Sequence, residues 1–145
     1  LDDGYTPVVS PPMAGDEGDG DVTPVNADAD RAAAAVAGAL GADLVLLTDV
    51  SGVYADPDDP ETRIDSAATP DELAAVEDAA EGFMGKKVMA AREALSGGAG
   101  RVVIADANVR DPVVAALDGE GTTVERSALG DGAGGSDAET GGETA

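Results

Sequence analysis

The sequence predicts an α/β fold, a three-layer αβα sandwich built on a mainly parallel sheet. The continuous apolar run at residues 44–47 (LVLL) suits a strand that is buried on both faces of a sheet, and residues 101–106 (RVVIAD) are predicted to form a second buried strand. Segments with helix-forming composition and clear helix start and stop signals alternate with these runs. Strands that alternate with helices favour a parallel sheet covered by helices.

The first forty residues are predicted to contain a strand, a hairpin and a helix. Residues 4–10 (GYTPVVS) have the pattern of a short strand, and residues 14–24 (AGDEGDGDVTP) that of a solvent-exposed hairpin or loop. Residues 30–40 (DRAAAAVAGAL) favour a helix, and Gly41 is placed to end it.

Two later helices carry start signals. Thr69 is a predicted N-cap, with Pro70 at the first helical position and Glu72 completing a capping box. Asp111 and Pro112 repeat the cap and proline for a helix that covers DPVVAAL.

The rest of the chain divides into one ordered domain and a tail. A polar loop is predicted at residues 56–65, a helix at about 85–95, and a last strand at 122–125. We expect one domain over residues 1–126 and a disordered acidic tail over residues 127–145, which lack apolar periodicity.

Composition excludes several classes of function. The chain has 30 acidic and 8 basic side chains, a net charge of −22, and neither cysteine nor histidine. Disulfides and a typical structural zinc site are thereby excluded, no metal site is predicted, and a nucleic-acid partner is disfavoured by charge. No stretch is apolar enough to predict a membrane helix. Acid excess with only two lysines is typical of a halophilic protein in a salt-rich cytoplasm.

Three polar side chains precede the alanine-rich helix. Asn26, Asp28 and Asp30 stand at i, i+2 and i+4. An N-cap next to a helix dipole explains one of these acids, but not all three side chains together. Helix N-termini also bind phosphates.

A second polar stretch, Thr48-Asp49-Val50-Ser51-Gly52, follows the first buried strand. Ligands of parallel sheets bind at the carboxyl ends of strands, where residues 106–108 should also lie. Neither a P-loop nor a GxGxxG motif is present.

Both lysines of the chain are adjacent, Lys86 and Lys87, in the segment GFMGKKVMAA. We place them at the beginning of a helix, where the dipole disfavours positive charge. A solvated pair is the simpler interpretation. A polyanion bound there would explain the pair, because phosphoryl transfer needs a cation where charge accumulates.

These segments together resemble the amino acid kinase family. The resemblance rests on GYTPVV, on VNADADRAAAAVAGALGADLVLLTDVSGVYADP and on GFMGKKVMAAREAL, and extends from residue 4 to about residue 124. It is closest to the acetylglutamate kinase branch, and within it to the archaeal (haloarchaeal) LysW-aminoadipate and LysW-glutamate kinases. It corresponds to the C-terminal half of such an enzyme, which carries most of the ATP site.

The resemblance implies roles for individual residues. Lys87 matches a catalytic lysine that stabilises the transferring phosphoryl group, Asp30 the aspartate that organises it, and Asn26 the asparagine that binds the acyl substrate. Residues 79–82 match a nucleotide-contacting segment. Asp28 stands where related kinases often have asparagine. The residues expected to contact the nucleotide are Thr48, Asp49, Val50, Ser51, Gly52, Val53, Tyr54 and Lys86.

The function implied by the resemblance is ATP-dependent phosphorylation of a side-chain carboxylate, with Mg²⁺ carried by the nucleotide. The substrate would be glutamate or aminoadipate on the carrier protein LysW, in a cytoplasmic homo-oligomer of arginine or lysine biosynthesis. The alternatives are an acetylglutamate kinase that acts on free N-acetyl-L-glutamate, a uridylate-type kinase, which the NADAD stretch disfavours, and an ATP-binding piece that is inactive alone.

Overall fold

Six strands and four helices make up the described part of the chain. The structure is a computed structural model that describes residues 2–10, 13–16, 18 and 20–130. The strands are β1 (Met13–Asp16), β2 (Val22–Val25), β3 (Leu44–Thr48), β4 (Ser66–Ala67), β5 (Arg101–Asp106) and β6 (Thr122–Glu125). The helices are α1 (Ala29–Leu40), α2 (Pro70–Ala79), α3 (Gly82–Gly97) and α4 (Pro112–Leu117), with short 3-10 turns at Pro60–Thr62 and Arg126–Leu129.

The main sheet has the strand order β3-β5-β6-β4. The β3–β5 and β4–β6 pairs are parallel, and the β5–β6 pair is antiparallel. The sheet is therefore mixed but mostly parallel, which confirms the predicted fold class. Strands β1 and β2 form a separate antiparallel hairpin, as predicted for residues 14–24.

Helices cover both faces of this sheet. On β5, Val102 and Ile104 face the core formed with α1, α2 and α3, whereas Val103 and Ala105 face α4. All four side chains are buried, as expected for a strand between two helical layers. Strand β3 is less covered, since Val45 and Leu47 are only partly buried beneath the short helix α4.

Helices α1 and α3 pack side by side and run in the same direction. Near their N-termini Asp30 meets Lys87, and near their C-termini Gly38 meets Gly97. A Cβ atom added to Gly38 would lie 3.1 Å from the Gly97 Cα atom, so the two backbones touch. Glycine at this contact allows the helices to approach closely.

The predicted helix signals have mixed outcomes. Gly41 ends α1 at a positive φ of 64°, as predicted, and the Thr69 hydroxyl accepts the Glu72 N–H at 3.2 Å. The Glu72 carboxylate accepts the N–H of Ala68, the residue before the cap, at 2.9 Å. Asp111 occupies the N-cap position of α4 before Pro112, as predicted, but its backbone is left-handed at φ 50° and its carboxylate makes no capping bond.

Three other predictions need correction. Residues 4–10 form no strand within the described chain, and they are exposed with no paired neighbour. Helix α3 begins at Gly82 rather than near residue 85, because the Glu81 carbonyl accepts the Met84 and Gly85 N–H groups. Disorder from residue 127 is wrong for residues 127–130, since Ala128 is buried. Residues 131–145 of the predicted tail lie outside the described residues.

Among the described residues, no helix combines the length and the apolar character needed to cross a membrane.

Candidate functional site

Several polar segments meet at one edge of the molecule because of the short connections in the chain. Three residues reverse the chain from α1 into β3, and three more reverse it from α3 into β5. The N-termini of both helices therefore lie at the same edge as the carboxyl ends of β3 and β5. The Thr48 carbonyl accepts the Ala107 N–H at 2.7 Å, which ties the two strand ends together. Ligands of parallel sheets bind at such an edge.

The centre of this edge is an ion pair between α1 and α3. The Lys87 Nζ atom lies 3.0 Å from Asp30 Oδ2 and 3.3 Å from Asp30 Oδ1. The Lys87 side chain is 18% exposed and the Asp30 side chain 26% exposed, so both are largely enclosed but open to one side. The pair holds a compact positive charge at a defined point, and an ammonium has further N–H donors for an anion.

Asp28 has a structural role, the capping of α1, that the sequence left undetermined. Its carboxylate caps α1 by accepting the N–H groups of Asp30 at 2.9 Å and Arg31 at 3.4 Å. The capping bonds explain why an acid is stable there. They also fix the first turn of α1, which carries Asp30 to Lys87.

Asn26 lies just before this cap and is exposed. It lines an open groove of about 560 Å³ together with Asp28, Arg31 and Glu93. Arg31 donates to Glu93 at 3.0 Å, and this hydrogen bond, followed by the negative charge of Glu93, raises the pKa of the Arg31 guanidinium. The groove therefore presents an amide, a permanent cation and two carboxylates, a lining suited to a polar ligand.

Lys86 differs from its neighbour. It is exposed, and within the described residues it makes no ion pair; its Nζ atom lies 5.6 Å from the centre of the exposed Phe83 ring. Because α3 starts at Gly82, both lysines stand in the second turn and not at the beginning of the helix. The unfavourable dipole that we expected there is thus weaker than predicted, since the effect falls off within the first turn.

The predicted nucleotide-contacting loop is not uniform. Asp49 and Val50 are exposed at the edge, and Ser51 lines a small cavity of about 30 Å³ beside Arg63 and Asp106. Val53, in contrast, is 1% exposed and belongs to the core.

The backbone of Val53 is also occupied. Its N–H donates to the Thr122 hydroxyl at 2.8 Å, and its carbonyl accepts the Ile64 N–H at 2.8 Å. Tyr54 is half-buried and pairs with Arg63 across a short bridge. Thr48 is likewise half-buried, and its hydroxyl lies 3.4 Å from Asp49 Oδ1.

The remaining predicted segment, residues 79–82, joins α2 to α3. Ala80 ends α2, Glu81 precedes α3, and Gly82 adopts a φ of 57° with open space where a Cβ would stand. No hydrogen bond or ion pair of the described residues joins this segment or the loop after β3 to the Lys87–Asp30 pair. The structure thus brings these segments to one edge without linking them directly.

Thr122 is a contact of the loop that the sequence analysis missed. It lies 69 residues from Val53 in sequence, so only the folded chain reveals the contact. The available signal was weak: two threonines begin a strand of four residues, TTVE.

Sequence comparison with known proteins finds relatives that are named kinases. The sequence matches the amino acid kinase family over residues 1–106. It is 45% identical over 122 residues to a LysW-aminoadipate kinase of Deinococcus radiodurans, covering 83% of this chain and 40% of that protein. It is 44% identical over 126 residues to an acetylglutamate kinase of Thermus thermophilus, covering 86% of this chain and 48% of that protein. The chain thus spans less than half the length of these two relatives.

The structure is also similar to solved structures. Carbamate kinase from Giardia lamblia bound to AMP-PNP superimposes with a TM-score of 0.62 at 27% identity, over 77% of this chain and 36% of that one. N-acetylglutamate synthase from Neisseria gonorrhoeae, in complex with coenzyme A and L-arginine, gives the same TM-score at 27% identity, over 72% of this chain and 25% of that one. Because the family match covers well over half of the sequence and the fold agrees, this chain belongs to the amino acid kinase family.

Proposed function

We propose that the chain is the nucleotide-binding part of a kinase that transfers the γ-phosphoryl group of ATP to a carboxylate. A carboxylate oxygen attacks the γ-phosphorus, the bond to the bridging oxygen of ADP breaks, and an acyl phosphate and ADP result. The observation that carries this proposal is the Lys87 ammonium, held by Asp30 at an edge where two helices begin and two strands end. Family membership and the kinase names of its relatives support the proposal.

Lys87 and Asp30 have the central roles in this reaction. The Lys87 ammonium stabilises the negative charge that develops on the transferring phosphoryl group, and a preorganised cation is effective because it need not move during the reaction. Asp30 is a positioning residue, since it touches Lys87 and fixes its ammonium from the first turn of α1. The open side of the pair, where water reaches both side chains, is where the phosphoryl group would approach.

The other predicted residues surround this point. Asn26 orients the acyl substrate from the groove before α1, and Lys86 attracts the ATP phosphates from the exposed side of α3. The loop of Thr48, Asp49, Val50, Ser51, Gly52 and Tyr54 contacts the nucleotide, whereas Val53 supports the loop from the core. Mg²⁺ arrives with ATP and neutralises charge on its phosphates.

The substrate that we propose is a glutamate or aminoadipate side chain carried by LysW, as the name of the Deinococcus radiodurans relative suggests. A second candidate is free N-acetyl-L-glutamate, because relatives of nearly equal identity are named acetylglutamate kinases.

We further propose that the chain corresponds to the C-terminal half of a homo-oligomeric, cytoplasmic enzyme. The coverage of 40% and 48% of its two relatives supports this assignment. Activity is therefore to be assayed with this chain completed by the region that the relatives possess in addition.

The test is a direct assay of the completed kinase. MgATP is supplied with N-acetyl-L-glutamate, with LysW-aminoadipate or with LysW-glutamate, and hydroxylamine traps any acyl phosphate as a hydroxamate. We expect a LysW-linked substrate to give the product and Lys87→Ala to lower kcat by about 10²-fold. Arg92→Ala is the matched control, because Arg92 is an exposed cation of the same helix that pairs with Glu77. Lack of product with all three substrates would refute the proposal, and turnover of N-acetyl-L-glutamate alone would establish the second candidate.

We also propose a halophilic origin, supported by the net charge of −22. In dilute buffer the acidic groups repel one another, and molar KCl screens this repulsion. Circular dichroism should show helical signal increasing as KCl is added, whereas a signal independent of salt would contradict a halophilic origin.

A further inference from the structure

We propose that Thr122 is a positioning residue for the nucleotide: its hydroxyl clamps the loop that follows β3 onto the start of β6. This inference deepens the proposed function, on which its nucleotide-binding part rests. The clamp itself is a property of the fold and can be measured without a nucleotide.

The clamp is a pair of hydrogen bonds on one buried oxygen atom. The Thr122 Oγ1 atom accepts the Val53 N–H at 2.8 Å and donates to the Ile64 carbonyl at 2.6 Å. Thr122 is 0% exposed, so water does not reach its hydroxyl. The Ile64 carbonyl and the N–H of the buried Val53 would both lose this partner if the hydroxyl were removed, and a buried N–H without a partner carries a large penalty.

The two bonds hold together the two ends of the segment from Val53 to Ile64. Val53 and Ile64 also bond to each other at 2.8 Å, and the Ala55 N–H bonds to the Thr62 carbonyl at 2.9 Å. Residues 53–64, which lie between β3 and β4, therefore form a narrow hairpin. The Thr122 hydroxyl bonds to both sides of this hairpin at its base.

Gly52 shows how closely the loop sits on this point. A Cβ atom at position 52 would lie 2.7 Å from Thr122 Oγ1 and 3.2 Å from the Thr122 backbone nitrogen. Gly52 also has a φ of 149°, a conformation that other residues disfavour. The backbone of Gly52, which we propose to face the nucleotide, thus lies directly against Thr122.

The chain offers a matched control at the next position. Thr123 also lies in β6 and is 9% exposed, but within the described residues its hydroxyl makes no hydrogen bond. Thr→Val has the same change of shape and polarity at both positions. A general effect of altering β6 would therefore appear in both variants, whereas loss of the clamp appears only at position 122.

The experiment measures two quantities for the 145-residue chain in molar KCl. The affinity for Mg·AMP-PNP is measured by calorimetry, and the exchange rate of the Val53 amide proton by NMR. We expect Thr122→Val to weaken nucleotide binding about tenfold and to speed Val53 exchange at least tenfold. Thr122→Ser, which keeps the hydroxyl, and Thr123→Val should both remain within about twofold of the unaltered chain.

Each other outcome is decisive. If the unaltered chain binds nucleotide and Thr122→Val binds equally well, the positioning role is refuted. If the unaltered chain binds no nucleotide, the proposed function fails for this chain, and Val53 exchange alone decides the clamp: unchanged exchange in Thr122→Val refutes it. Should Thr122→Val not fold, Gly52→Ala takes its place, because its Cβ displaces the loop from an intact Thr122. Unchanged exchange and affinity in Gly52→Ala would refute the inference.

Discussion

The two ends of the contact between α1 and α3 are formed by different kinds of residue: two glycines at one end and an ion pair at the other. At one end Gly38 and Gly97 bring the helix backbones together, with Gly97 Cα 3.1 Å from where a Cβ of Gly38 would stand. At the other end the Asp30 and Lys87 side chains meet at 3.0 Å and remain partly open to water. The glycine end has no side chain that could serve a ligand, whereas the ionic end presents a cation.

This difference assigns stability to one end of the helix pair and chemistry to the other. Close backbone packing keeps the helices at a fixed distance and direction. A partly exposed ion pair contributes little to stability, so its strict placement calls for another explanation. We infer that the glycine end fixes the geometry and that the ionic end uses it to present Lys87.

The largest expected effect concerns the chemistry of the ionic end. Asp30→Asn removes the charge that fixes Lys87, and Lys87→Arg replaces a compact ammonium by a planar guanidinium that does not fit the same contact. In the completed kinase both substitutions should lower kcat by about 10²-fold, with a smaller change in KM for ATP. Steady-state kinetics test this. A near-normal kcat in Asp30→Asn would show that Lys87 does not need the Asp30 carboxylate to position it. It would contradict the difference in role between the glycine end and the ionic end of the contact.

A second effect concerns the glycine end. Gly38→Val should lower the free energy of unfolding by about 2 kcal/mol, because its side chain collides with the Gly97 backbone. The matched control is Gly85→Val on α3, where the nearest atom to an added Cβ is 3.7 Å away. This control should be neutral or slightly stabilising, since valine favours a helix more than glycine does. Urea unfolding in molar KCl measures both, and equal losses in the two variants would contradict a special role for the Gly38 contact.

The smallest effect distinguishes the two adjacent lysines. Lys86→Ala removes an exposed cation whose Nζ atom lies 5.6 Å from the centre of the Phe83 ring, so we expect about a threefold increase in KM for ATP with kcat unchanged. The same kinetic measurements report it. A loss of kcat in Lys86→Ala that matches the loss in Lys87→Ala would remove the distinction between these residues.

Local signals were sufficient for much of the fold. The Thr69 cap, the Gly41 stop and the apolar strand around Ile104 each act over a few residues, and the structure confirms all three. The antiparallel direction of β6 was not predicted, because strand direction depends on connections that a strand's own residues do not encode. The strand expected at residues 4–10 has no neighbour to pair with in the described chain, and pairing requires a partner.

The candidate site was predictable only in part for the same reason. Asp30 and Lys87 were identified through the resemblance to a family, and the structure adds the contact between them across 57 residues of sequence. Thr122 was missed because its two bonds reach positions 69 and 58 residues away. Val53 was assigned to the nucleotide with its neighbours, although tertiary packing puts its side chain in the core.

Lys87→Met tests the central claim most directly, since methionine keeps much of the length of the side chain and removes its charge. We predict that kcat of the completed kinase falls by about 10²-fold or more. The free energy of unfolding should change by less than about 1.5 kcal/mol, because Asp30 retains water and the favourable N-terminus of α1. The opposite result, a nearly unchanged kcat with a loss of several kcal/mol in unfolding free energy, would show that the pair holds the helices together and would contradict the account.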